Sequence, residues 1–319
     1  MKRFPILTLL LAITLSACNN DDPEIAPSSE QGNTNGNATR IFAGVTENST
    51  TTDVHKVATR LEIPQLNKTG QNNLFIVHTV PGFGVNYCME YDCDLKAQRW
   101  SAFQSYASNN VKKWNRNDWK YTSWGGDPFQ EDPLIPQEYR TTLADHRSNG
   151  YDRGHIIGSE DRVNSQSANE QTFYLSNIHP QLNGFNAQGV WYDLENRIRN
   201  RYRNHDINKS NYFCDTLYVV KGGTIDRANY TMVKGSGQKL VCPNYFYMAI
   251  LRKSSKDTTQ GGYAAIGFWM EHKSNTDTKY KNYAVTIDRL EELTGIDFFC
   301  NLPDNIEAQV EQNLVLSLW

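Results

Sequence analysis

Tyr151-Asp152-Arg153-Gly154-His155, then Phe173-Tyr174-Leu175-Ser176-Asn177-Ile178-His179-Pro180-Gln181, then Phe185-Asn186 followed by Gly189, Trp191, Leu194 and Glu195: this order decides how the chain is read. It gathers a histidine, an arginine, side-chain amides and a carboxylate into one stretch. Those residue types match what phosphodiester cleavage demands. Water has to lose a proton near neutral pH, and histidine is the side chain whose ordinary pKa suits that task. Negative charge builds on the phosphate and the leaving oxygen, where an arginine and a hard divalent cation stabilise it. Magnesium keeps several of its waters and so needs few protein ligands. One His, one Arg, one amide ligand and one supporting carboxylate therefore suffice for a one-metal site.

Outward from this block, hydrophobic patterning predicts the framework. Apolar runs predict strands at Asn73 to Val80, Asn86 to Asp92, Trp100 to Tyr106, Thr216 to Lys221, Tyr245 to Arg252 and Tyr263 to Met270, with a short strand at Tyr174 to Asn177. Trp191, Leu194 and Ile198 recur at three- and four-residue spacing, which predicts a helix over Ala187 to Arg203. Leu290 to Leu293 and Ile306 to Leu314 read as helical, and Asn109 to Gln137 as loops. The order is mixed and does not alternate, so the fold class is α+β with a largely antiparallel sheet. Leu61-Glu62-Ile63-Pro64 marks the start of the folded domain, 61–319, after an ambiguous segment 41–60.

The block resembles the DNA/RNA non-specific endonuclease family, whose signature runs Asp-Arg-Gly-His, Asn-x-x-Pro-Gln, Phe-Asn near Gly-x-Trp, and Leu-Glu. Further stretches follow the family's order: Asn73 to Gln104, Leu217 to Gly222, Val241 to Tyr247 and Leu293 to Phe299. The resemblance implies the ββα-metal nuclease fold, with helices flanking the central sheet. It also implies Mg2+ (with Mn2+ or another divalent cation as substitutes), DNA and RNA as substrates, and products with 5′-phosphate and 3′-hydroxyl ends. By position, His155 resembles the general base and Asn186 the direct metal ligand. Glu195 resembles the acid that holds metal-bound water, Arg153 an arginine near the scissile phosphate, and Asn177 an amide that orients the site. Asp152 is expected to be structural. The family has Trp four residues past the metal-binding Asn, whereas Trp191 stands five past Asn186. A loop or a bulge could absorb the extra residue, or the ligand could shift to Asn183.

The N-terminus reads as a leader. Lys2 and Arg3 precede an apolar run from Pro5 to Leu15, too short to span a bilayer, and then Leu15-Ser16-Ala17-Cys18. The last four residues resemble the lipobox of bacterial lipoproteins, which implies a signal peptide over 1–17 and acylation of Cys18. An ordinary signal peptide with an incidental cysteine is the other reading. Residues 18–40 are polar and read as a flexible tether. The expected location is the bacterial cell envelope, lipid-anchored to the membrane through Cys18.

Composition sets limits on this picture. Aromatics reach 12% although mean hydropathy is −0.63, which argues for aromatic packing and against a disordered chain. The formal net charge of −3 becomes −5 once Lys2 and Arg3 leave with residues 1–17. A globally basic nucleic-acid binder is thereby excluded, so any phosphate contact must be local. No Cys-x-x-Cys pair supports a structural zinc, while Cys88 and Cys93 are near enough in sequence to bridge a hairpin.

Several residues remain open. His179 is expected to be incidental and His146 a loop residue. Arg140 and Arg147 could bind phosphate or sit on the surface. The stretch Arg197 to Arg203, with Tyr192 and Tyr202, is either a local phosphate-tracking patch or a solvated helix face. Two other functions compete with the nuclease: a catalytically silent nucleic-acid-binding lipoprotein, and a phosphodiesterase on a smaller substrate.

Overall fold

The computed structural model describes residues 32–40, 44–47, 52–67, 72–116, 126–275, 277 and 279–319. The signal peptide and Cys18 lie outside them. No helix among the described residues is long and apolar enough to cross a membrane.

Strands and helices follow the order β1 (Val45–Glu47), α1 (Val54–Ala58), β2 (Asn73–Val80), β3 (Gly84–Asp92), β4 (Ala97–Tyr106), β5 (Asp152–His155), α2 (Gln166–Gln171), β6 (Ile178–Gln181), α3 (Asn183–Asn186), α4 (Val190–Arg197), β7 (Thr216–Gly223), β8 (Tyr230–Lys234), β9 (Lys239–Pro243), β10 (Tyr245–Lys253), β11 (Tyr263–Glu271), β12 (Ala284–Val285), α5 (Ile287–Thr294) and α6 (Asp304–Gln312). Eight strands form one sheet in the order β1-β2-β3-β4-β7-β10-β11-β12. Only β1 pairs in parallel, against β2; the other pairings are antiparallel. Two small hairpin-like sheets, β5-β6 and β8-β9, stand apart.

Side chains along a strand alternate between faces, and here both faces are covered. Phe103, Val219, Met248 and Ile250 point into one core with Phe185, Trp191 and Leu194 from α3 and α4. Their neighbours Trp100, Ala102, Tyr218, Val220, Ala249 and Leu251 point into the other, with Leu290 from α5 and Val310 from α6. Burial on both faces explains why the central strands read as continuous apolar runs rather than alternating ones. The architecture is α+β with a largely antiparallel sheet, as expected.

The structure departs from the sequence reading in several places. The short strand expected at Tyr174 to Asn177 is instead a 3-10 turn over Leu175–Asn177, and the strand begins at Ile178. The turn closes by Asn177 N donating to Tyr174 O at 2.9 Å. The single helix expected over Ala187 to Arg203 is broken. α3 ends at Asn186, α4 starts afresh at Val190, and a π-helical turn covers Ile198–Tyr202. This break separates Asn186 from Trp191, and Asn275 Oδ1 accepts from Val190 N at 3.1 Å on its far side.

The tether read over 18–40 is fixed at its far end. Asn33 Nδ2 donates to Cys300 O and Leu302 O, and buried Asn37 donates to Ala58 O and Pro64 O. Segment 41–60 supplies β1 and α1, whose first turn Asp53 caps by accepting from Lys56 N at 3.2 Å. Cys88 and Cys93 form no bridge. They lie in the two different cores, and the five described cysteines are buried and form no disulfide with one another.

Candidate active site

β5 and β6 run antiparallel with Gly154 opposite His179 and His155 opposite Ile178. Glycine is required within β5, because a Cβ at Gly154 would overlap the buried Gln181 side chain. β6 leads directly into α3 and α4, completing a strand–strand–helix unit on one face of the large sheet.

His155 closes β5, half-buried, with Phe173 edge-on at 5.2 Å and Phe129 tilted at 5.4 Å. Its Nε2 is shielded from water and has no hydrogen-bond partner among the described residues. Burial, then the positive charges of Arg116, Arg153 and Lys221, hold the imidazole down at about 3, so the ring is neutral near neutral pH. Arg153 lies over the Phe129 ring at 4.0 Å, and its Nη1 donates to both carboxylate oxygens of Asp127 at 3.0 Å. Arg147 donates to the same carboxylate at 3.2 Å.

The amides divide their work. Asn177 is fully buried. Its Oδ1 accepts from Ile157 N, and its Nδ2 donates to Ile157 O and Thr172 O. It thus fixes the backbone two residues beyond His155. Asn186 and Asn183 both donate from Nδ2 to Asp152 Oδ2, at 3.1 and 2.9 Å. Asp152 thereby fixes which way the Asn186 amide points and leaves its oxygen uncommitted to Asp152, the arrangement that orients a metal ligand.

Glu195 lies deeper than the sequence suggested. Lys221, fully buried on β7, donates to Glu195 Oε1 at 3.1 Å and to Asp161 Oδ2 at 3.3 Å. Arg199 and Arg203 each approach Asp161 Oδ1 to 3.6 Å. Burial raises the Glu195 carboxyl above its ordinary range despite Lys221. Burial would raise Asp161 too, but Lys221, Arg199 and Arg203 together outweigh it and bring Asp161 down to about 2. The network adjoins the strand that carries His155: a Cβ on Gly158 would lie 3.0 Å from Glu195 Oε1 and 3.1 Å from Asp161 Oδ2.

The other open residues resolve as follows. The Arg197 to Arg203 stretch is not one phosphate-tracking patch. Arg199 and Arg203 turn inward, Arg197 covers the Tyr280 ring at 3.7 Å, and Tyr202 is buried against Phe213; Arg201 and Tyr192 remain exposed. Arg140 donates to Ile135 O and Pro133 O, a loop-bracing role. His179 is buried with its Nε2 facing Gln98 O at 3.3 Å, and His146 is buried beside Thr141. Sequence reasoning missed Asp127, Asp161 and Lys221. A visible signal existed for Lys221: it is the one charge in the apolar run Leu217-Tyr218-Val219-Val220-Lys221.

Comparisons with known proteins agree with this geometry. The family model for DNA/RNA non-specific endonuclease matches residues 72–305. Nuclease C1 of Cunninghamella echinulata var. echinulata is 32% identical over 178 residues, covering 54% of this chain and 67% of that protein. The mitochondrial nuclease of Saccharomyces cerevisiae is 32% identical over 184 residues, covering 55% and 54%. Mitochondrial endonuclease G of Homo sapiens is 27% identical over 177 residues, covering 54% and 57%. The matches thus span about half to two thirds of these relatives' lengths. A chain in the crystal structure of the EndoG/EndoGI complex superposes with a TM-score of 0.55 over 68% of this chain and 84% of its own, at 24% identity, a likeness of fold. With the signature His155 at the end of β5, the strand–strand–helix unit around it and the family match over 72–305, the chain belongs to the DNA/RNA non-specific endonuclease family.

Proposed function

We propose that the protein hydrolyses internal phosphodiester bonds of DNA and RNA with little sequence preference, assisted by Mg2+ (or Mn2+) and leaving 5′-phosphate ends. The observation that carries this reading is His155 Nε2: a water-shielded nitrogen of a neutral ring, without a partner among the described residues and next to Arg153. Nε2 takes the proton of the attacking water. The approaching phosphate, being negative, favours the imidazolium and raises the ring's proton affinity when it is needed. Arg153, held flat on Phe129, supplies positive charge beside the phosphate. Asn177 keeps His155 in place through the backbone at Ile157.

The residues fit a divalent cation. Asp152 presents the Asn186 amide, and a hard ion that keeps most of its waters needs little more from the protein. Asn186 would hold it, with Glu195 supporting its water. Once bound, the ion offsets charge on the phosphate and leaving oxygen. Glu195's engagement by Lys221 favours a second reading, a catalytically silent binding module.

One experiment decides between them. The chain is incubated with plasmid DNA and with RNA, in magnesium or chelator, beside His155→Ala. The nuclease reading expects magnesium-dependent cutting that drops about 10²–10⁴-fold in the variant. Cutting that survives the substitution sinks the assignment of His155, and no cutting by the folded native chain supports the binding module. The cellular setting we propose is the bacterial envelope, with Cys18 acylated. Fatty-acid labelling that persists in Cys18→Ser would refute it.

A further inference from the structure

On the opposite face of the sheet from His155, α5 and α6 bring three carboxylates together. Asp288, Glu291 and Glu311 each offer one oxygen, and these oxygens lie within 4.8 Å of one another. The neighbouring acids have partners: Asn35 Nδ2 donates to Glu307 at 2.8 Å and to Asp297 at 3.2 Å. Glu291 receives a single bond, from Phe298 N at 2.7 Å. Glu311 differs. The residue is only 7% exposed, and its Oε1 is buried with no donor among the described residues. The Asn35 amide oxygen is likewise buried without a partner.

No Lys or Arg among the described residues is ion-paired with Asp288, Glu291 or Glu311, and the adjacent Arg289 is held by Glu292 at 2.6 Å. Burial and the surrounding carboxylates push Glu311 up to about 10 and Glu291 up to about 8. A buried acceptor with no donor costs stability, and buried like charges repel. A cation between the three oxygens would remove both penalties.

We infer that Asp288, Glu291 and Glu311 bind a divalent cation of the calcium class, separate from the site at His155, and that this ion clamps α5 to α6. The all-oxygen set selects a hard cation over zinc. Three carboxylates on one ion suit calcium, whose flexible shell takes about 6–8 oxygens, better than magnesium, which is usually held by one or two carboxylates and keeps several waters. The remaining positions are open to water.

The test compares thermal melts and calorimetric calcium titrations of the full chain, Glu311→Gln and Asn186→Ala, each in chelator and in millimolar calcium. Glu311→Gln keeps the shape and mimics the neutral carboxyl that burial favours in chelator, so it is expected to fold as well as the native chain there and to keep its activity. The expected result is a rise in melting temperature with calcium in the native chain and in Asn186→Ala, lost in Glu311→Gln together with one binding event. The inference is overturned if the native chain shows no rise, if Glu311→Gln keeps the rise, or if Asn186→Ala alone abolishes it. None of these outcomes depends on cleavage, so the proposal stands or falls apart from the nuclease reading.

Discussion

Around His155 the decisive quantity is how tightly the ring holds a proton. Burial and three neighbouring cations keep it at about 3, against an ordinary 6.5. Falling pH removes the base only once it passes through the ring's own pKa. Because kcat/KM reports the free enzyme, its acid limb is expected to show no break near 6.5. A break at or above 6.5 in the pH profile would contradict the buried, cation-flanked ring. In the proposed mechanism Asp152 acts through Asn186, whose amide it accepts from, rather than on substrate. Asp152→Ala frees the amide to rotate, and the expected cost is an apparent magnesium affinity about 10–100-fold weaker, read from metal titrations of cleavage. Asp152→Asn retains an accepting oxygen and should recover part of the loss. The motif singled out His155, Arg153 and Asn186, and the fold brings them onto one strand–strand–helix unit. Asp127 and Asp161 were not legible in the sequence, because each lies outside the motif and is defined only by what the fold brings to it.

The strand pair that carries His155 depends on a side chain being absent. Gly154→Ala pushes a methyl into Gln181, and overpacking of this kind costs about 1–3 kcal/mol. Urea unfolding should show that loss together with reduced cleavage, and Gly154→Ala with Gln181→Ala should restore part of both. If the single variant unfolds like the native chain, β5 and β6 are looser than described. Strand positions were readable because burial on both sheet faces leaves long apolar runs. Helix ends in 183–203 were not. The periodicity of Trp191, Leu194 and Ile198 runs on into the π-turn at 198–202, so spacing alone gave one helix over 187–203 where backbone hydrogen bonding leaves 187–189 outside and divides the rest into two pieces.

Lys221 joins the central sheet to the catalytic face, since its ammonium meets Asp161 on one side and Glu195 of α4 on the other. Lys221→Met takes from two buried carboxylates the cation that bonds them both and leaves them to Arg199 and Arg203 at longer range; breaking such a buried pair is expected to cost about 3–5 kcal/mol. Adding Asp161→Asn should return part of it in denaturant melts; a native-like midpoint for Lys221→Met alone would refute the coupling. Composition gave no hint of this, because net charge counts ions without saying which are enclosed. The anchoring of Asn33 and Asn37 was equally hidden, since a run of polar residues reads as solvated until its partners Cys300, Leu302, Ala58 and Pro64 are seen. That anchoring gives the molecule a front and a back. Asn33 is fixed beside the core of α5 and α6, while His155 lies on the other side of the sheet. A carrier fused directly ahead of Asn33 is therefore expected to sit at the back and to leave the face that carries His155 open to long polymers.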